Sequence, residues 1–549
     1  MASEGVPLGL FFVMMVIFVA TMVVLGWYGY RHTKNNQQFL LGRNKANTIL
    51  IALSYGATFL STSAIIGFGG QAATHGASLI WLCFLNLALG LFVPFVVFAP
   101  RVRKIGRALG ASTFADLLGK IFKSKKIRAF TAAIIVVMMP IYCAAVMKGG
   151  VNALVVLTGT MDYYSIILII LSIVVGLYVV YGGIIAVMYN DVLQASVMLV
   201  GIVIIFAVTL YTLGGFSAAF GSLENLSGGS GTWPGFAGYA SFPEFGSQAW
   251  WTVVSTFLLG VGIGAMTQPQ LVVRFMSAKD DRMLNRSLIV GSLFMFIIVG
   301  CAYTVGALSN VYFFNEYGLT SHEYVVGALG QGVDFIIPNL VLDMFGGMSL
   351  GQVFICVFIL SLLCAAISTV SALLHTMGAA GGHDLYSVFK NRKTKEQKME
   401  DFQSLKVNRM VTAVVMVLVV VYCYLMPNDI IAKATSLFMG MTAAALLPLM
   451  AYGLFSKAPI TKAAVASMAV GTSAYLFWAL FINKGSSIFL PICKWLTGKE
   501  VLFMNSNIMY VDALIIALPL SALALALALA WVKWANPRAS GAKEDKTDP

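Results

Sequence analysis

In SLLCAAISTVSALLHT, residues 361–376, hydroxyls stand at Ser361, Ser368, Thr369 and Ser371 within an otherwise apolar run. Ala365, Ser368, Thr369 and Ala372 recur at i, i+3, i+4 and i+7, so on a helix they share one face. That face is small and polar, and suits a protein partner rather than lipid. Two neighbouring hydroxyl oxygens supply part of a hard-cation site, and backbone carbonyls freed by a broken helix could supply the rest. The alternative is that both hydroxyls bond back to carbonyls of their own helix, the ordinary fate of a lone membrane hydroxyl.

The elements around that face decide between the two. Of 549 residues, 59% are hydrophobic and only 10% charged, against roughly 25% charged in a soluble chain. Lipid must therefore be the solvent for most of the surface, and the chain reads as a polytopic membrane protein. The seven cysteines form no C-x-x-C pair, so neither a disulfide framework nor a zinc site is suggested. The first apolar stretch, 7–29, is too long for a signal-peptide core, lacks a basic leader and reads as a retained helix.

About 20 apolar residues cross a bilayer, and thirteen stretches qualify, from 7–29 to 510–532, among them 163–187, 192–213 and 349–381. With the N-terminus outside and the C-terminus cytoplasmic, inner loops hold 30 of the 35 Lys and Arg residues and outer loops only Lys484, Lys494 and Lys499. That asymmetry obeys the positive-inside rule and predicts a multi-pass plasma-membrane protein. It also explains the net charge of +13 by anionic lipid at the inner leaflet, with no nucleic acid among the partners.

Two stretches break the apolar pattern. SYGATFLSTSAIIGFGG at 54–70 and GVGIGAMTQPQ at 260–270 gather glycines, hydroxyls and Pro269 where lipid-facing helices hold Leu and Val. Small-residue packing between helices is one reading. The other is non-helical backbone, tolerated at membrane depth only beside protein or a watery cavity. With the first span set aside, the stretches open matching five-helix halves at 47–213 and 249–454, the pattern of an inverted-repeat transporter with its site at the breaks. The remaining segments read as an N-terminal flanking helix and basic loop (1–46), an extracellular loop (214–248), two C-terminal flanking helices (455–532) and a cytoplasmic tail (533–549).

Five stretches together resemble the sodium:solute symporter family over about 38–460. YGGIIAVMYNDVLQ at 181–194 is similar to its Y-G-G-x-x-A-V-x-x-x-D-x-x-Q, QPQLVVRFMSAKD at 268–280 to its Q-P-H-x-x-V-R-F-M-A, and CAAISTVSALL at 364–374 to its A-x-x-S-T. GHDLY at 382–386 and FLLGR at 39–43 add to these. The resemblance implies an all-α leucine-transporter-type fold of about 13 transmembrane helices, ten of them a core of two inverted repeats. It further implies Na+ as the coupling ion, held by the carbonyls of Ser61, Ala64 and Ala365 and the hydroxyls of Ser368 and Thr369. Asp191 matches the family's acidic residue near the inner sodium path; capping of a helix that opens at Asn190-Asp191 is its structural alternative. Some members, proline carriers among them, have Asp at the position matched here to Ser63, and its absence sets proline specificity and the details of cation binding in doubt.

In such a fold the solute lies at the breaks, which points to Ser63, Tyr142, Lys148, Thr267, Gln268 and the segment Met439–Thr442. A lysine within a span is functional unless it snorkels to the interface. Lys148 turned inward would favour a carboxylate-bearing solute, whereas Lys433, near a helix end, reads as snorkelling. His75 and His375 stand near span ends and read as solvated. The expectation is a sodium-coupled symporter importing a small carboxylate or amino acid by alternating access, with no oligomer required. A proton-coupled carrier of the same fold and a non-transporting solute sensor are the alternatives. No H-E-x-x-H, G-x-S-x-G or paired intramembrane carboxylates suggest an enzyme.

Overall fold

Which helices face lipid and which face protein follows from how the apolar residues are distributed around them. The helix Gly351–Ala379 is apolar or small on every side, and each residue from Phe358 to Ala379 is buried, so it forms the centre of the bundle. The helices Leu8–His32 and Ala513–Ala535 bury few of their residues and lie at the periphery. The computed structural model describes residues 8–42, 46–226, 234–389, 397–427, 431–489 and 491–535. Arg43 of FLLGR and most of the expected tail, from 536 onward, lie outside them.

Among the described residues, eleven helical segments are long and apolar enough to cross a membrane, or twelve with the bent pair His322–Ala328 and Val333–Gly346. Two of the eleven, Ser63–Ala108 and Met161–Thr212, run to 46 and 52 residues, too long for one crossing. Each reverses at a glycine: Gly76 (φ 70°, ψ −156°) and Gly183 (φ 60°, ψ −158°). Those dihedrals are essentially closed to other residues. A Cβ would also lie 2.1 Å from the Tyr239 carbonyl oxygen at Gly76 and 2.7 Å from the Phe39 ring at Gly183. Dividing the segments there gives thirteen.

Gly183 corrects a boundary. The inner loop expected at 188–191 is helical, and the turn falls earlier, at the Gly182-Gly183 pair. The bent pair, folded by 118°, occupies what hydropathy alone reads as a plain loop between spans.

Both irregular stretches are broken helices. Thr48–Phe59 stops where Leu60 turns extended (φ −89°, ψ 91°), and the chain resumes through a π-helical turn, Ser63–Gly67, into Phe68–His75. The second runs from Gln248 through a π-helical stretch, Thr252–Gly260, to Gly264. It breaks at Gln268 (φ −67°, ψ 116°) and resumes as Pro269–Ser277. Pro269 suits the new start because the first helical N–H has no intrahelical acceptor.

Small residues let neighbouring helices reach the breaks. A Cβ on Gly264 would lie 2.5 Å from Met439 Cβ in the helix Ile431–Phe455. One on Gly150, in Lys125–Thr158, would lie 2.6 Å from Ala366 Cβ.

Candidate functional site

The last intrahelical bond before the first break runs from the Leu60 N–H to the Gly56 carbonyl at 2.8 Å. The carbonyls of Ala57, Thr58 and Phe59 lie beyond it and need other partners. Two come from the central helix: Ser368 Oγ donates to Ala57 O at 2.9 Å and Thr369 Oγ1 to Thr58 O at 3.1 Å. Ser368 Oγ also lies 3.2 Å from Ala365 O. Five oxygens therefore converge here, three carbonyl and two hydroxyl, all on residues buried from water. Rotation of the two hydroxyl hydrogens would free their oxygens, and oxygen donors of this kind suit a hard cation.

The structure brings Ser368, Thr369 and Ala365 together as expected, but joins them to Ala57 and Thr58 rather than to Ser61 and Ala64. Ser61 and Ala64 stand past the break, where the Ala64 N–H occupies the Ser61 carbonyl at 2.9 Å. The displacement from Ser61 to Ala57 is about one helical turn. Return bonding within the helix accounts for only part of the hydroxyl contacts, since Thr369 reaches across to Thr58.

Beside this oxygen cluster lies a buried ion pair. Arg274 Nη2 is 3.0 Å from Asp191 Oδ2, with side-chain exposures of 1% and 0%. Ser54 Oγ donates to the same carboxylate oxygen at 2.6 Å, Arg274 Nε to Ser54 Oγ at 2.8 Å, and Arg274 Nη1 to the Gln270 carbonyl. Thr58 belongs to both groups: its carbonyl accepts from Thr369 and its hydroxyl from Arg274 at 2.5 Å. Asp191 Oδ1 has no hydrogen-bond partner among the described residues. Because its helix restarts at Gly183, Asp191 lies two turns inside it, and the capping alternative falls away.

On the other side of the break, neutral polar groups meet. Thr435 Oγ1 is 2.8 Å from Ser63 Oγ, Tyr142 OH 3.5 Å from Ser61 Oγ, and the Tyr142 ring stacks on Phe438 with centroids 5.6 Å apart. At the second break Gln268 Nε2 donates to Thr442 Oγ1 at 2.8 Å, while the buried Thr267 hydroxyl finds no partner among the described residues. Ser63, Tyr142, Thr267, Gln268 and Thr442 thus lie on the elements that line the breaks.

Lys148 does not join them. Its ammonium donates to the Met426 carbonyl, just past the helix Gln397–Leu425, where a cation complements the helix C-terminus. His75 and His375 are both buried rather than solvated. His375 Nε2 lies 2.8 Å from the Phe39 carbonyl oxygen, and His75 borders a cavity.

Sequence reasoning missed Thr435, Phe438 and Arg274. The signal for Arg274 was available: an arginine in the apolar run QLVVRFM has to be paired.

The two ends of the bundle differ. At the end bearing His75, a cavity of about 380 Å³ is bordered by His75, His322, Lys433, Lys484 and Asp512. Asp512, just before Ala513–Ala535, accepts from the Leu514 N–H at 2.8 Å, and burial pushes its carboxyl up to about 7. At the opposite end, Arg128 joins Asp384 of GHDLY at 2.9 Å and Asp116 at 3.3 Å, while Thr113 Oγ1 donates to Asp384 at 2.7 Å. Arg103 closes on Asp281 at 2.6 Å. Asp116, His383 and Asp384 hold ligand atoms within 4.8 Å of one another. Arg128, with Lys120 at 2.8 Å from Asp116, supplies the charge that balances those carboxylates.

The family model described as "Sodium:solute symporter family" matches residues 39–471. The osmoregulated proline transporter of Bacillus subtilis is 27% identical over 466 residues, covering 84% of this chain and 87% of that one. Sodium/proline symporter 2 of Staphylococcus saprophyticus is 26% identical, covering 87% of each. Among solved structures, an outward-open, substrate-bound Na+-coupled sialic acid symporter superposes with TM-score 0.69 at 19% identity, over 94% of this chain and 97% of that one. A nucleobase-cation-symport-1 family transporter gives TM-score 0.53 at 14% identity, over 91% and 96%.

Proposed function

The chain belongs to the sodium:solute symporter family, and from that premise we propose that it imports a small carboxylate-bearing solute, an amino acid or monocarboxylate, by alternating access. Sodium-coupled symport of a small solute across a membrane is the family activity, and the chain is a transporter rather than an enzyme. Its all-α fold is of the leucine-transporter type, with a core of two inverted five-helix repeats. We place the repeats at 47–213 and 249–454 and the flanking helices at either end.

The observation that supports the sodium reading best is the crossing of Ser368 and Thr369 onto the carbonyls of Ala57 and Thr58. Sodium would take Ala57, Thr58, Ala365, Ser368 and Thr369 as ligands, replacing two hydroxyl–carbonyl bonds with ion–oxygen contacts. Ser61 and Ser63, within a few residues of those carbonyls, belong to the solute side of the same break. An ion that fixes the break therefore also fixes the solute's polar contacts, which is a physical basis for coupling. Asp191 lies on the sodium path: Thr58 connects it to the ion ligands, and the Arg274 guanidinium offsets its charge so that it does not trap the ion.

The carboxylate reading rests on different ground from the lysine that first suggested it. The half-helices starting at Ser63 and Pro269 both present their N-termini to the breaks, and such ends favour an anionic group. Proline and sialic acid, named for the relatives and the structural neighbour, are both carboxylates. The groups nearest the breaks, Ser63, Tyr142, Thr267, Gln268, Thr435 and Thr442, are neutral, so the solute's charge would be met by backbone dipoles.

We place the N-terminus outside and the C-terminus in the cytoplasm of a plasma-membrane protein, from the loop charges. The His75 cavity then opens outward, and the Arg128–Asp384 and Arg103–Asp281 pairs close the inner end. The test is uptake by purified protein in liposomes across labelled amino acids, monocarboxylates and sugars, with an inward sodium gradient or with potassium in its place. Sodium-driven accumulation of a carboxylate supports the reading. Sodium-driven uptake confined to uncharged sugars would overturn the solute class.

A further inference from the structure

The helix that begins at Tyr164 and ends at the Gly183 turn is flanked by two apolar grooves within the membrane-spanning part of the bundle. One, of about 420 Å³, lies against the helix Gln397–Leu425 and is bordered by Ile169, Gly176, Leu177, Met416 and Val420. The other, also about 420 Å³, lies against the first helix and is bordered by Met22, Gly26, Trp27, Leu177 and Tyr178. Both end at Tyr181. The glycines leave the space: a Cβ at Gly176 would find Met416 at 3.7 Å as its nearest neighbour, and one at Gly26 would press on Tyr178 at 3.1 Å.

Two guanidiniums stand at the Tyr181 end. Arg31 lies over the Trp27 ring, 3.8 Å from its centroid. Arg409 lies over Tyr181 at 5.6 Å and donates through Nη2 to the Tyr181 carbonyl at 3.2 Å. Tyr30, next to Arg31, packs edge-on against Tyr181 with centroids 6.4 Å apart, which places the two cations around one aromatic platform. Among the described residues neither is paired with a carboxylate, and the Arg409 Nε is buried with no acceptor.

Apolar grooves that lead to unneutralised cations at a membrane surface match one kind of molecule. We propose that this face binds an anionic phospholipid, its acyl chains lying along the two grooves and its phosphate held by Arg31 and Arg409. Zwitterionic lipid offers the same chains with no net charge to meet the guanidiniums. A second copy of the chain would have to bring carboxylates to this face.

The test uses the full chain in detergent, stripped of lipid and then given phosphatidylglycerol or phosphatidylcholine with matched acyl chains. Lipid retention is counted by native mass spectrometry and stability followed by thermal unfolding. Phosphatidylglycerol is expected to be retained selectively and to raise the melting temperature. In R31Q/R409Q its apparent affinity should fall about 25-fold, from roughly fivefold per cation, while Arg→Lys at both positions keeps most of it. Gly176→Trp, which fills one groove, should weaken both lipids. Equal retention of the two lipids, or a phosphatidylglycerol effect unchanged in R31Q/R409Q, would overturn the proposal. So would a lipid-independent dimer cross-linked through Ile173→Cys, on the border of the first groove.

Discussion

Replacing Ser368 by Ala tests the ion site at its narrowest point. The hydroxyl has two roles: without the ion it donates to Ala57 O at 2.9 Å, and with the ion it would become a ligand. Losing a neutral ligand to a charge costs about 1.5–3 kcal/mol, and losing the competing neutral hydrogen bond removes about 1 kcal/mol from the ion-free state. The difference, about 0.5–2 kcal/mol, predicts a rise of roughly 2- to 30-fold in the sodium concentration for half-maximal uptake. Thr369→Ala should fall in the same range, because Thr369 makes the equivalent bond to Thr58 at 3.1 Å. The two residues share a site, so the double variant need not equal the sum of the singles. The assay is initial uptake by proteoliposomes against external sodium at saturating solute, with reconstituted protein quantified. Unchanged half-saturation in both single variants, with normal maximal rates, would refute the five-oxygen site. Ser61→Ala serves as the comparison: its hydroxyl contacts Tyr142 and the Ser63 N–H rather than the five oxygens, so the sodium dependence should barely move.

Asp191→Asn leaves the Arg274 guanidinium without its buried counter-charge, which costs about 3–5 kcal/mol; the melting temperature should drop, and Arg274→Gln added to it should restore part of the loss. Asp512 predicts a pH effect of definite sign. Its carboxyl titrates near 7 in the fold and near 4 in the unfolded chain, so the folded state holds the extra proton between those values. Thermal stability should decline as pH rises from about 4 to about 7, and Asp512→Asn should flatten that stretch of the profile. Gly183→Ala forces a side chain into the Phe39 backbone at φ 60°, costing at least 1 kcal/mol, visible as a lower melting temperature. Lys148→Met should leave the half-saturating solute concentration unchanged, since Lys148 bonds Met426 rather than the break; a large rise would return it to the solute site.

The residues that were legible in the sequence are those whose chemistry contradicts their surroundings. Ser368 and Thr369 stood out because hydroxyls in an apolar helix need partners. Gln268-Pro269 stood out because a proline ends the helix before it. Asp191 did so only through its place in the YGGIIAVMYNDVLQ motif; its depth in the bundle and its Arg274 partner came from the fold. What stayed hidden was register and direction. Between Ser54 and Ala64 all residues except Tyr55, Phe59 and Leu60 are small or carry an aliphatic hydroxyl, so sliding the carbonyl ligands from Ala57 to Ser61 changes no pattern the eye or a hydropathy scale could detect. Only the bond geometry at Leu60 separates them. The direction of Lys148 was equally hidden, because its flexible stem reaches the helix terminus or the solute site from one Cα position.

Thr58 shows why such details matter for function. In the sequence it is one hydroxyl among several; in the fold its carbonyl faces Thr369 and its side chain contacts Arg274 and Asp191. A shift of the first half-helix that separates Thr58 O from Thr369 must also disturb the Asp191–Arg274 pair. In the proposed reading, ion release and loosening of the Asp191–Arg274 end of the bundle would thereby be joined through a single residue. A transporter that opens inward by moving this half-helix would lose its ion ligands and its internal counter-charge in the same step, so sodium would leave as the path opens and not before.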